Sequence, residues 1–340
     1  MKKIFLIMFS IIFLCFLIPI IFTKGFKTNQ AISNNITEIE NEVNIEEAIN
    51  NYDYSQYKIV KLLHKETNLV QEIGLDEYLL GVVSAEMPAD FELEALKAQS
   101  TVARTYTIFK IVNNLSEGKH IGADICDDST CCQAWISKED RFARWEENKR
   151  EENWNKICTA VDATKGDIIL YSGQVINAFF HSNSGGATEA PINVWGGSGY
   201  PYLKTVQTSG EDTYTQYSSE LEISKDEFIS KIKEIHKNFQ IDFVEEDSIK
   251  VLEYTDGNRI KKIKIGNVEM SGVEIRTTFK LRSANFKIAI NENNVKFEVV
   301  GYGHGVGMSQ TGANTLAKEG KNHIEIITHF YNGVEVKKAE

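Results

Sequence analysis

The sequence predicts an α+β fold, on three observations. The runs YKIVKLL and NLVQEIGL alternate apolar and polar residues and are joined by HKET, as in a β-hairpin. Two apolar stretches of helical period flank Pro88 within Asp76–Val112. After residue 165, short β-type runs alternate with glycine loops and two further helical segments, with no internal repeat. A chain of 340 residues and ordinary apolar content can bury a sizeable core. Its net charge of −11, with no basic patch, excludes nucleic acid as a partner, because phosphate binding needs clustered Lys and Arg.

Taken in order, residues 1–25 carry Lys2 and Lys3 followed by an uncharged apolar run from Ile4 to Phe22. That is close to the roughly 20 residues of a membrane-spanning helix. Phe22–Phe26 offers no A-x-A cleavage site, so the segment reads as an uncleaved single-pass anchor with the bulk of the chain outside the cytoplasm. Residues 26–55 are rich in Asn, Glu and Thr and read as a flexible tether. The domain proper is expected over 56–338. Its hairpin is followed by a helix capped by Asp76 and ending near Glu86, because Pro88 disfavours helical geometry at Met87. Asp90 is the expected cap of a second helix through Leu93, Leu96, Val102, Tyr106 and Phe109. A cysteine-bearing loop (119–133) leads to a charged, solvated helix over Glu139–Lys156, with Trp145 and Trp154 inward. Strands are expected at GDIILY and QVINAFF, a helix near Leu221–Phe239, and a hairpin turning at Asp256-Gly257. About 218–290 would form an inserted smaller α+β lobe. The chain closes with strand, glycine loop and helix in VKFEVVGYGHGVGMSQTGANTLAKEG, then ITHFYNGVEV.

Glu86 is the residue of greatest chemical interest. A carboxylate at the C-terminal end of an apolar helix meets the negative end of the helix dipole and loses solvent, and both effects favour its protonated form. A general acid working near neutral pH needs that shift. Arg104 could face it, in which case the two would also serve as a structural pair bracing the helical hairpin. His181-Ser182-Asn183-Ser184 lacks the G-x-S-x-G elbow of a serine hydrolase and reads as a strand end lining a groove. The glycines of GYGHGVGMSQTGA are not spaced as in a nucleotide loop, and His304 and Gln310 are its candidates for the cleft. His120, Cys126, Cys131 and Cys132 offer the four N and S ligands of a structural zinc site. A Cys126–Cys132 disulfide fits the same residues in an oxidising compartment.

AEMP followed by LEALKAQSTVARTYT resembles the signature of the stage II sporulation protein D family. HSNSGGATE, GYPYLKTV, SGVEIRTTFKLRSANF and GYGHGVGMSQTGA agree in order, so the resemblance spans about Tyr57–Glu335. It implies a lytic transglycosylase acting on peptidoglycan glycan strands stripped of stem peptides, during septal remodelling and forespore engulfment. Glu86 would be the sole catalytic acid/base, closing the MurNAc C6 hydroxyl on C1 to a 1,6-anhydro end, and no second carboxylate would be needed. Arg104 would position sugar and modulate Glu86. Tyr202 and Lys204 match a residue pair of the family's site, the ring for a sugar face and the ammonium for hydroxyl or lactyl oxygens. His181, Ser182, Ser184, His304 and Gln310 complete the expected substrate contacts. Some members bind zinc through two histidines and two cysteines here, with Cys131 standing for one histidine. No cofactor is required for the chemistry. Stage II sporulation proteins P and M are the implied partners, and the mother-cell membrane, facing the septal space, the implied location. The alternative is a non-catalytic glycan-binding scaffold that activates an amidase; a metallohydrolase using the cysteine cluster is a third reading.

Overall fold

The computed structural model describes residues 53–115 and 119–339. The expected anchor and nearly all of the expected tether lie outside them, and no helix among the described residues is long and apolar enough to cross a membrane. The fold is α+β.

Strands β1 (Ile59–His64) and β2 (Leu69–Gly74) form the expected antiparallel hairpin, Ile59 opposite Gly74 and His64 opposite Leu69. A short β3 (Ile125–Cys126) adds in parallel to β1. Helix α1 (Leu75–Glu86) starts directly from β2, with Gly74 at its N-cap. Asp76 is thus in the first turn rather than at the cap, and the helix starts two residues earlier than expected. Helix α2 (Leu93–Val112) is capped by the backbone at Glu92, not by Asp90. It is the centre of the molecule, with Ala95 to Ile108 all buried except Lys97. Its small and hydroxylated residues let neighbours come close. Thr105 and Thr107 return their hydroxyls to Thr101 O and Ala103 O at 2.7 and 2.8 Å, so they stay satisfied without water.

The charged segment divides into α3 (Lys138–Arg144), capped by Ser137, and α4 (Arg150–Ala163). Trp154 is buried and Trp145 half-buried. Strand β4 (Asp167–Tyr171) lies between β5 (Gln174–Val175) and the C-terminal β14 (Glu335–Lys338). Its Ile169 N–H donates to Thr105 Oγ1 at 3.0 Å, tying this sheet to α2. One core joins β1, α1, α2, α4 and β4 with helix α8 (Gln310–Lys318) and helix α9 (His323–Phe330), through Leu62, Leu79, Val83, Leu96, Val102, Ile169 and Phe330.

Between residues 218 and 300 a second core forms around Phe228, Ile263, Phe279 and Phe297. It is enclosed by the sheets β11-β12-β7 (Phe286–Ile290, Asn294–Val300, Ser218–Ser224) and β10-β9-β8 (Val268–Met270, Ile260–Ile265, Ile249–Tyr254). Helices α6 (Lys225–Ile235) and α7 (Gly272–Phe279) complete it; the segment expected as one helix over Leu221–Phe239 is strand as far as Ser224. In the hairpin Asn258, at φ 59°, takes the left-handed position that Asp-Gly was expected to supply.

Candidate functional site

Glu86 ends α1 because Met87 is extended, at φ −123° and ψ 136°, ahead of Pro88. Its carboxylate turns into a cavity of about 210 Å³ lined also by Phe91, Arg141, Ser182, Gln310 and Thr311. The Ala134 N–H donates to Oε1 at 2.6 Å. Burial holds the carboxyl above its ordinary range, and the hydrogen bonds from Ala134 and Gln310 pull it partly back. Among the residues lining this cavity Glu86 is the one carboxylate.

The far wall comes from two distant motifs. Strand β6 (Phe180–His181) pairs in parallel with β13 (Met308–Ser309), aligning Phe180 with Met308 and His181 with Ser309. The register places Ser182 beside Gln310 and Thr311, whose N–H donates to Ser182 O at 3.1 Å. Gly307 permits it: a Cβ there would stand 1.9 Å from Phe179 O, and its φ is +75°.

Of the expected substrate contacts, Ser182 and Gln310 reach Glu86's cavity and the others do not line it. Arg104 does not face Glu86. It is 3% exposed and its Nη1 donates to Asp76 at 2.6 Å, at the opposite end of α1. Ten residues of helix separate Asp76 from Glu86, about 15 Å. Ser184 donates to Glu211, which also accepts from Ser309, Thr208 and Thr311. These hydroxyls, Ser184's first, hold the Glu211 carboxyl below its usual range against the effect of burial. Tyr202 lies in the core, accepts the Asn177 N–H at 2.9 Å and packs against Tyr171 and Tyr200, so it offers no sugar platform. Lys204 is exposed. His181 and His304 lie against one another, ring centroids 5.7 Å apart with the planes tilted by 55°, and burial holds both neutral, His181 at a pKa of about 3. Phe91, Ala134, Arg141, Thr311 and Glu211 carry no such signal in the sequence; Arg141 belongs to a segment that reads as a solvated helix.

His120, Cys126, Cys131 and Cys132 converge, their ligand atoms all within 4.8 Å of one another. His120 Nε2 lies 3.5 Å from Cys131 Sγ and 3.4 Å from Cys132 Sγ. In a tetrahedral zinc site the N···S edges are about 3.5 Å, so this donor set fits a metal ion. Adjacent cysteines can both point inward because the N–H groups of Cys131 and Cys132 both donate to Asp128 O. All four described cysteines are free thiols, and no Cys126–Cys132 disulfide forms. The chain runs straight on from Cys132 to Gln133, which donates to Tyr78 and Thr107, and to Ala134, which holds Glu86. The cluster therefore braces the segment that orients the carboxylate.

A family model described as Stage II sporulation protein matches residues 63–171. The chain is 33% identical over 282 residues to a stage II sporulation protein D of Bacillus amyloliquefaciens, covering 83% of this chain and 79% of that one. It is 35% identical over 271 residues to that of Bacillus subtilis, covering 80% and 76%. A Bacillus subtilis protein named amidase enhancer is 29% identical over 75% of this chain but only 39% of its own length. With the Glu86 cavity, the paired β6 and β13 motifs and the level of identity all in place, the chain belongs to the stage II sporulation protein D family.

Proposed function

We propose that this protein is a lytic transglycosylase that cleaves the bond between MurNAc and GlcNAc in glycan strands free of stem peptides. The observation that carries the reading is a single carboxylate, raised in pKa by burial, in a cavity that offers no second one. A glycosidase that uses water or a covalent intermediate needs two carboxyl groups, about 5–9.5 Å apart. Glu211 is near, but its oxygens are occupied by hydroxyl and N–H donors and it is 2% exposed, which suits a structural anion rather than a base. In the proposed reaction Glu86 donates its proton to the leaving oxygen as the C1–O bond breaks. The resulting carboxylate then takes the proton of the MurNAc C6 hydroxyl as that oxygen bonds C1. The proton returns to Glu86 and no water is consumed.

Zinc is the ion we assign to His120, Cys126, Cys131 and Cys132, where it would lock the 126–134 segment; the sugar chemistry does not involve it. On the same reading the protein sits at the mother-cell membrane through its N-terminal segment, facing the septal space. Stage II sporulation protein P supplies the stripped strands, with protein M as a further partner. The relative named amidase enhancer favours a second reading, a glycan-binding scaffold that stimulates an amidase.

Product mass separates them. The full chain incubated with stripped glycan is expected to release fragments ending in 1,6-anhydro-MurNAc, one water lighter than hydrolytic products. Glu86→Gln, with an unchanged circular dichroism spectrum, should lose about 10²-fold or more of the rate. Reducing ends alone would reject the mechanism, and amidase stimulation without any cleavage would install the scaffold.

A further inference from the structure

Beyond Pro88 and Arg141 the Glu86 cavity continues into a second, larger one of about 590 Å³, bounded by α3 and α4. Pro88 and Arg141 line both, so the two form one groove. Its charges are mixed, and three of them are already committed. Lys149 pairs with Glu152 at 2.9 Å, and Lys156 donates to Phe91 O. Both of its guanidiniums are among the rest. Arg141 has its guanidinium carbon over Trp145, 4.8 Å from the ring centroid, and its buried Nε has no hydrogen-bond partner. Burial first, and then the nearby charge of Arg144, make the Arg141 cation less favourable. Neither makes an ion pair with a carboxylate among the described residues, although Asp90 and Glu146 line the same groove. Two adjacent like charges, one half-buried with a donor unspent, are costly unless an anion joins them.

We propose that Arg141 and Arg144 form a carboxylate subsite that reads the free O-lactyl group of a muramyl residue next to the bond over Glu86. This rests on the transglycosylase reading and adds its selectivity. A lactyl group still joined to a stem peptide is a neutral amide with a bulky extension. Removal of the peptide leaves a carboxylate, which a guanidinium can grip with two parallel hydrogen bonds. The Trp145 ring holds the planar Arg141 guanidinium in place in advance, so little side-chain freedom is lost on binding. Arg141 lines the Glu86 cavity itself, so the subsite acts within one sugar of the cleavage point.

The test measures binding and cleavage side by side with three glycans: stripped strands, the same strands with lactyl carboxylates converted to methylamides, and strands bearing stem peptides. Binding is measured on the full chain carrying Glu86→Gln, cleavage on the full chain without it. Stripped strands are expected to bind about tenfold or more tightly than either other glycan. Arg141→Gln/Arg144→Gln should erase that ratio. Arg144→Gln alone, at an exposed position, should reduce it while leaving the melting temperature unchanged. Equal affinity for stripped and methylamide strands would overturn the subsite. Stem-bearing strands binding as well as stripped ones would overturn it too, by moving the recognised carboxylate to the peptide. Cleavage without carboxylate dependence removes the subsite and leaves the transglycosylase; carboxylate-dependent binding without cleavage removes the transglycosylase and leaves the subsite.

Discussion

At the scale of single residues, the site turns on how one carboxylate is held. Glu86 is buried enough to favour its acid form, yet the Ala134 N–H and the Gln310 amide keep it from being a bare hydrophobic acid. Desolvation prevails, so the folded pKa lies above the unfolded one. The consequence for stability has a definite sign. Below the unfolded pKa the group is neutral in both states and costs nothing. As pH rises through the folded pKa it must ionise inside the protein, and stability falls. Glu86→Gln should therefore melt with the parent in acid and above it at neutral pH, the gap opening across the folded pKa in a series of thermal melts. On the proposed mechanism the acid form is the proton donor, so the cleavage rate of the parent should fall as pH rises through the folded pKa. A melting difference independent of pH would mean that Glu86 is not titrating in the folded state. Glu211 shows the opposite balance beyond Thr311: a carboxylate only 2% exposed, surrounded by hydroxyls, is held down instead of up.

Between elements, the site depends on α1 meeting the segment that follows the cysteine cluster. Gly81 lies where the two touch; a Cβ there would stand 2.2 Å from Trp135 Nε1. Gly81→Ala adds no backbone strain, so its effect is steric: Trp135 must move, carrying the neighbouring Ala134 N–H away from Glu86. A cost of about 1–3 kcal/mol is expected from chemical denaturation, with a larger fall in cleavage than in glycan affinity. Retained cleavage would show that the Ala134 bond does not set the carboxylate's geometry. This contact also marks how far the sequence could be read. The β1–β2 hairpin, the stop at Glu86 and the meeting of four ligands are legible because alternation, a proline and a close-spaced histidine–cysteine pattern act locally. Arg104 could be seen to need a partner, but both Asp76 and Glu86 are on the helix it packs against, and only the packing chooses Asp76. Tyr202 is an amphipathic ring whose hydroxyl is satisfied by Asn177, a long-range bond that no local pattern encodes. Arg141 sits in a short helix whose inner face is set by α1 and α4, so its charge looked like one solvated charge among many.

In the molecule as a whole, the two hydrophobic cores are joined through a polar seam, and the seam runs beside the far wall of the Glu86 cavity. Arg259, 3% exposed at the edge of β9, belongs by sequence to the second core. Its Nη1 donates to Ala187 O at 2.9 Å and Gly257 O at 3.1 Å, and its Nη2 to Ser184 O at 3.0 Å. Ala187 and Ser184 continue the β6 segment that supplies Ser182 to the cavity. Gly305 gives the guanidinium its room, since a Cβ there would stand 2.3 Å from Nη2. A buried arginine that serves three carbonyls cannot be replaced by an apolar chain of similar length without orphaning them, at about 1–3 kcal/mol for an unsatisfied group. Arg259→Met is accordingly expected to lower stability by about 2–4 kcal/mol, although it is remote from Glu86 in sequence and lines another part of the fold. If the guanidinium is what couples the cores, calorimetry of the full chain should then resolve a transition for the 218–300 core apart from that of the core containing α2. Amide exchange should rise first in residues 182–188. A single transition shifted as a whole would mean that apolar packing, not this arginine, makes the two cores unfold together, and that the far wall of the Glu86 cavity is held from its own side.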